Sequence, residues 1–128
     1  METKFNTDFY ELLLYDNYGV LCIKENTFLD FSKAKFIRSH CKNHFKNREY
    51  VLIHDRKFKH EIDLELFRKG VSPYLKGMAI VSSDDNEKER AITEQTLFDR
   101  SYAFFNNMND AKSWAESFFV NINNPSSI

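Results

Sequence analysis

Glycine and proline are scarce in this 128-residue chain, with three and two residues respectively. So little of either excludes a collagen-like repeat, a low-complexity linker and a turn-rich β-sandwich. Cysteine is equally sparse. Cys22 and Cys41 each fall at positions that read as buried, with no paired zinc-ligand spacing and no disulfide framework. Free core thiols suit a reducing compartment. No apolar run approaches the roughly 18 residues of a membrane span. The acidic start METKFNTDFYELLLYD lacks the basic region and cleavage site of a signal peptide. The expected location is therefore the cytoplasm. There is no phosphate-binding glycine loop and no dinucleotide fingerprint, so no cofactor is expected.

Apolar residues make up 42 % of the chain, and thirteen of them are Phe. That is enough for the core of one domain. Residues 1–8 are polar and read as a flexible N-terminus, residues 9–120 as the domain, and residues 121–128, NINNPSSI, as a flexible tail. Phe9–Tyr15 and Val20–Glu25 are apolar stretches separated by Asp16-Asn17-Tyr18-Gly19, where Gly19 is free to take positive φ. They read as an antiparallel hairpin. Asp30 is a helix N-cap, followed by the stripe Phe31, Ala34, Ile37, Cys41, Phe45. Tyr50–His54 is a short buried strand. Asp63 opens a second helix with Leu64, Phe67 and Val71 on one face, stopped at Ser72-Pro73. Met78–Val81 is a strand and Asp84–Phe98 a helix with acids in its first turn. Tyr102–Phe105 is the last strand, and Asn106 caps a final helix carrying Met108, Ala111, Trp114, Ala115 and Phe118. The order β-β-α-β-α-β-α-β-α predicts an α/β domain with a mixed, mainly parallel five-stranded sheet and four helices.

Four stretches carry a resemblance to a known family: FYELLLYDNYGVLCIKE, LDFSKA, YVLIHDRKFKHEID and AITEQTLFDRSYAFFNNMNDAKSWAESF. Over residues 9–120 the chain resembles the STAS-like domain of bacterial anti-sigma-factor antagonists and of sulfate-transporter tails. More narrowly, it is similar to small uncharacterised STAS-like proteins of Bacteroidetes type. The resemblance implies a regulatory or protein-binding module rather than an enzyme. In the antagonists a Ser or Thr at the start of the helix after the central strand is phosphorylated. Here no Ser or Thr occurs between Ser39 and Ser72, so the acceptor for that switch is missing and only the binding half of the analogy carries over.

Charge is uneven. The net charge is −1, yet residues 33–60 hold nine Lys or Arg against two acids. Lys35, Arg38 and Lys42 ride on the first helix as a candidate basic face. His54, Asp55, Arg56, Lys57 and Lys59 follow the central strand and are candidates for binding a partner or ligand. They lie at the end of a parallel strand, where α/β sheets usually bind ligands. A His beside a carboxylate also admits acid–base chemistry with Arg56 holding an anion, but no nucleophile motif surrounds Ser82 or Ser83. His40 and His44 have a zinc-compatible spacing, set among cations and without a third ligand, so no metal is expected. Another protein is the expected partner. The alternative is reversible binding of lipid, an anionic headgroup included, or of a small apolar ligand. Nucleic acid is disfavoured, since the chain is not basic overall and carries no recognition motif.

Overall fold

The computed structural model describes residues 2–123, with side chains described through Val120. The chain runs β1 (Thr3–Asn6), β2 (Tyr10–Leu14), β3 (Tyr18–Ile23), β4 (Phe28–Leu29), α1 (Phe31–Phe45), β5 (Tyr50–Asp55), β6 (Glu61–Ile62), a 3-10 turn (Leu64–Phe67), β7 (Leu75–Val81), α2 (Asp85–Leu97), β8 (Ser101–Phe105) and α3 (Met108–Asn123). The main sheet has the order β1-β2-β3-β5-β7-β8, and β4 and β6 form a separate two-stranded parallel ribbon. The first three strands are antiparallel neighbours. From β3 onward every pairing is parallel. Among the described residues no helix is long and apolar enough to cross a membrane.

The main sheet has six strands rather than the expected five, because residues 3–6, expected to be loose, pair along β2. Their alternation of half-buried and exposed positions is that of an edge strand. The ring of Phe5 stacks on His40 of α1 at 3.7 Å between centroids. The hairpin of β2 and β3 forms as expected, but Gly19 has a different job there. It does not adopt positive φ. A Cβ at this position would come within 2.8 Å of Leu14 Cδ2 and 3.0 Å of Leu52 Cδ2, so glycine lets two strands' side chains close over it.

Three helices form among the described residues, not four. The expected helix after Asp63 is only a 3-10 turn of four residues. Asp63 does cap it, its carboxylate accepting from the Glu65 amide at 3.1 Å. However, Gly70 turns into positive φ and Ser72-Pro73 follows, leaving too few residues to repay the cost of nucleating an α-helix. The cap of α1 is the one expected, Asp30 accepting from the Lys33 amide, and Asp84, expected as the first residue of its helix, instead caps α2 by accepting from the Asn86 amide. The cap of α3 is Asn107, not Asn106. Its side-chain oxygen accepts from the Asp110 amide at 2.9 Å. Helix α3 runs through Asn123, and the remainder of the expected tail lies outside the described residues.

The sheet separates two apolar clusters. On one face Leu12, Leu14, Leu21, Ile23, Tyr50 and Leu52 pack under Ile37, Cys41 and Phe45 of α1 and against Phe67 and Phe98. On the other, Val20, Val51, Ile53 and Ala79 meet Ala111, Ala115 and Phe119 of α3. Fully burying side chains of this size contributes about 1.5–3 kcal/mol each.

Candidate functional site

The alternation of β5 decides what becomes of the stretch after it. Tyr50, Leu52 and His54 point to the α1 face, Val51 and Ile53 to the α3 face. Arg56 continues the ladder, its amide donating to Val81 at 2.9 Å. Its side chain is fully buried beneath α2. There Nη2 donates to Glu94 Oε1 at 2.6 Å, and Glu87 Oε2 lies 3.9 Å from Nη1. Tyr102 of β8 donates its hydroxyl to the same Glu94 oxygen at 2.5 Å. Burial and the adjacent Glu94 carboxylate hold that phenol in its neutral form by raising its pKa.

The stretch expected to be a basic surface loop is thus split. His54, Arg56 and His60 are buried, while Lys57 and Lys59 are exposed and Asp55 is half-buried. The Arg56 Nε donates to His54 Nδ1 at 3.4 Å. The His54 and His60 rings lie 5.1 Å apart. Burial first, then the charge of Arg56, keeps His54 well below the usual histidine pKa. Burial also lowers His60, partly opposed by its contact with the Phe58 carbonyl. His54 and Asp55, as neighbours on a strand, face opposite ways, so the pairing that acid–base chemistry would need does not form. Asp55 instead lies 3.8 Å from Lys57. Its carboxyl is raised by burial, with Lys57 acting the other way.

Asp55, Lys57 and Lys59 do share a polar cleft with Ser82 and Ser83 at the C-terminal ends of the parallel strands. Ser82 is committed to structure there, its hydroxyl accepting from the Asp84 amide at 3.0 Å before α2. His40 and His44 are also engaged: one stacks on Phe5 and the other donates to the Tyr15 carbonyl at 2.6 Å. Among the described residues no group of three or more His, Cys, Asp or Glu could hold a metal ion.

The candidate basic face is brought together intact. Lys35, Arg38 and Lys42 line one surface groove with Lys46, between α1 and residues 70–74. Helix α1 contains no acid, and no Asp or Glu lines the groove. Arg38 also donates to the Gly70 carbonyl, which fixes the opposite wall. A Cβ at Gly70 would meet only the movable end of that arginine, so it is the positive φ that calls for glycine.

Two features escaped sequence reasoning. One is the pair of inward acids on α2. Glu87, Ala91 and Glu94 are its buried residues, spaced as one helical stripe. The other is a partly open apolar pocket of about 110 Å³ between the sheet, α1 and residues 66–72.

The molecule is thus a single α/β domain whose strand order and covering helices belong to the SpoIIAA-like, or STAS-like, class of fold. A solved structure shows the same likeness: an uncharacterised protein of the DUF3478 family with a SpoIIAA-like fold, from Shewanella loihica PV-4. It superposes with a TM-score of 0.57 over 90 % of this chain and 92 % of that one, at 12 % identity. No family model matches the sequence, and no curated protein matches it.

Proposed function

We propose that this domain is a non-enzymatic binding module that docks an acidic segment of another protein along α1. The observation that carries this reading is the groove holding Lys35, Arg38, Lys42 and Lys46 with no carboxylate in its lining. None of the four has an ion-pair partner among the described residues. Cations left unneutralised on one face raise the local potential and favour an anionic partner.

The test is fluorescence anisotropy with a labelled peptide of consecutive glutamates flanking a leucine. The wild-type chain should bind it with an affinity that falls as salt rises. The triple variant K35E/K42E/K46E should not bind. Equal binding by the triple variant overturns the reading. So does binding to phosphatidylserine vesicles without binding to the peptide, which would transfer the groove to a lipid surface.

A further inference from the structure

The two edges of the main sheet are built differently. β1 ends the sheet on one side and β8 on the other. An edge strand offers unpaired amides and carbonyls to any passing strand, and charge, proline or a bulge normally guards it. β1 is four residues long and holds Lys4 at an exposed position. β8 reads Ser-Tyr-Ala-Phe-Phe, without a charge or a proline, and its register against β7 runs unbroken from Ser101 to Phe105.

The register also shows which backbone groups of β8 face outward. The Phe105 carbonyl accepts from the Ser82 amide at 3.1 Å, so Ser101, Ala103 and Phe105 turn their backbone groups toward β7. By alternation Tyr102 and Phe104 turn theirs outward, where no further strand lies among the described residues. Apolar side chains flank this edge on both faces. On one, Tyr102, Ala103 and Phe104 line a small pocket with Ile92 of α2, which is 56 % exposed. On the other, Phe105 packs on Trp114 and Trp114 on Phe118. Opposite charges stand toward the two ends of the strand. Lys88 lines the surface beside Phe104 and Phe105 and has no ion-pair partner among the described residues. Asp99 precedes the strand with its side chain 85 % exposed.

We propose that β8 is a homodimerisation edge, two copies of the chain pairing their β8 strands antiparallel about Ala103 and joining their main sheets into one. In that register Tyr102 of each copy meets Phe104 of the other, and each such pair exchanges both of its hydrogen bonds. Ala103 meets its own counterpart where opposed strands come closest, about 4.5 Å between Cα atoms, and its methyl is small enough for that approach. Reversing the strand also carries Lys88 of each copy to the end at which the partner's Asp99 stands, so the charges match twice. That match and the self-complementary register select a second copy over an unrelated strand. The pairing is isologous and closed, and it leaves the two β1 edges, each with its Lys4, outermost. It uses no residue of the groove on α1 and stands or falls independently of the acidic-segment reading.

Sedimentation velocity of the full chain from about 1 μM to about 1 mM, a span suited to a small interface, should show monomer giving way to dimer. Amide hydrogen exchange by NMR then locates the contact. Exchange at Tyr102 and Phe104 should slow several-fold in step with the dimer fraction, while Ala103 and Phe105, already bonded to β7, change far less. Lys88 and Asp99 are both exposed, so charge reversal at either leaves the fold intact. K88E and D99K should each weaken the dimer about tenfold, since two matched pairs become two like-charge contacts. The double variant K88E/D99K restores opposite charges with the signs exchanged and should recover to within about threefold of wild type. A monomer at every concentration overturns the proposal. So does a dimer in which Tyr102 and Phe104 exchange as fast as in the monomer, because the contact would then lie elsewhere. A double variant as weak as the single ones overturns the antiparallel register.

Discussion

Arg56 and the bases of α1 belong to one cationic block in the sequence and to opposite worlds in the fold. Arg56 is sealed beneath α2, with Glu94 at 2.6 Å and Glu87 at 3.9 Å. Lys35, Arg38 and Lys42 lie exposed along a groove without a carboxylate. The difference teaches how to read charge. A cation that has been desolvated and matched is part of the scaffold, because its removal strands its partners. A cation left in water and unmatched costs the fold almost nothing, and is free to serve an external partner.

The sharpest way to break this contrast is to take one acid from the buried site. Replacing Glu94 by Ala leaves Arg56 with Glu87, at 3.9 Å, as its one carboxylate and takes the acceptor from Tyr102. Breaking a buried pair from one side costs about 3–5 kcal/mol, and urea denaturation of E94A should show a loss of that order. E94Q keeps an acceptor for Tyr102 and should lose less. If E94A unfolds at the wild-type midpoint, Arg56 is not a scaffold residue and the comparison collapses.

The next effect is on pH. Both His54 and His60 have a native pKa below the unfolded value near 6.5. The unfolded chain therefore binds more protons between the two values, and stability rises with pH through that window. Their contribution is full above about pH 6.5 and is lost as the pH falls below it, by at most about 1.4 kcal/mol per pH unit for each histidine. Asp55, raised by burial, works in the opposite sense on acidification. Urea midpoints between pH 7.5 and 5.5 should fall for the wild-type chain and fall less for H60Q. A flat wild-type profile would show that the two rings are not held neutral. The groove contains no histidine, so its occupancy should be insensitive over this range.

Much of this architecture was legible in the sequence, and the exceptions share a cause. The hairpin, the stripe of α1 and the caps at Asp30 and Asp63 are local signals, and each forms as read. The edge strand β1 was not legible, because four residues carry too little alternation to stand out without β2 beside them. The helix expected after Asp63 failed because helix length depends on the residues beyond the cap, here Gly70 and Pro73. The groove was half visible: a helix without acids announces itself, but the wall at residues 70–74 is a tertiary fact. The burial of Arg56 was the real miss. Its signal was present in two places, the even-numbered alternation Tyr50, Leu52, His54, Arg56 and the acidic inward stripe Glu87, Ala91, Glu94. Neither means burial alone; only the sheet bringing β5 under α2 joins them.

A smaller loss should follow from Tyr102→Phe. The ring stays in its packing against Phe67 and Phe98, while the hydrogen bond to Glu94 is removed. Since the acceptor is a carboxylate that keeps Arg56, the cost should be about 1–2 kcal/mol by urea denaturation. In the E94A background the same substitution should cost much less, since the two residues act on one bond. Equal costs in both backgrounds would detach Tyr102 from the buried network.

The smallest effect on stability belongs to the groove, and it is the one that separates scaffold from surface. Reversing Lys35 and Lys42 places two acids on α1 where none stood. Each lysine is exposed and lacks an ion-pair partner among the described residues, so no buried contact is lost. Surface changes away from caps and cores usually stay within about 0.5 kcal/mol, and K35E/K42E should unfold within that margin of wild type. Lys35 lies clear of the Asp30 cap, whereas Lys42 is in the last turn of α1, where an exposed acid meets the negative end of the helix dipole at a cost of about 0.3 kcal/mol, and Lys46 beyond that turn is untouched. Over the same two substitutions, binding of the glutamate peptide should fall at least tenfold. A stability loss near that of E94A would mean that these lysines hold the fold together. In that case the cationic block would be one structural unit, and the division between Arg56 and α1 would be wrong.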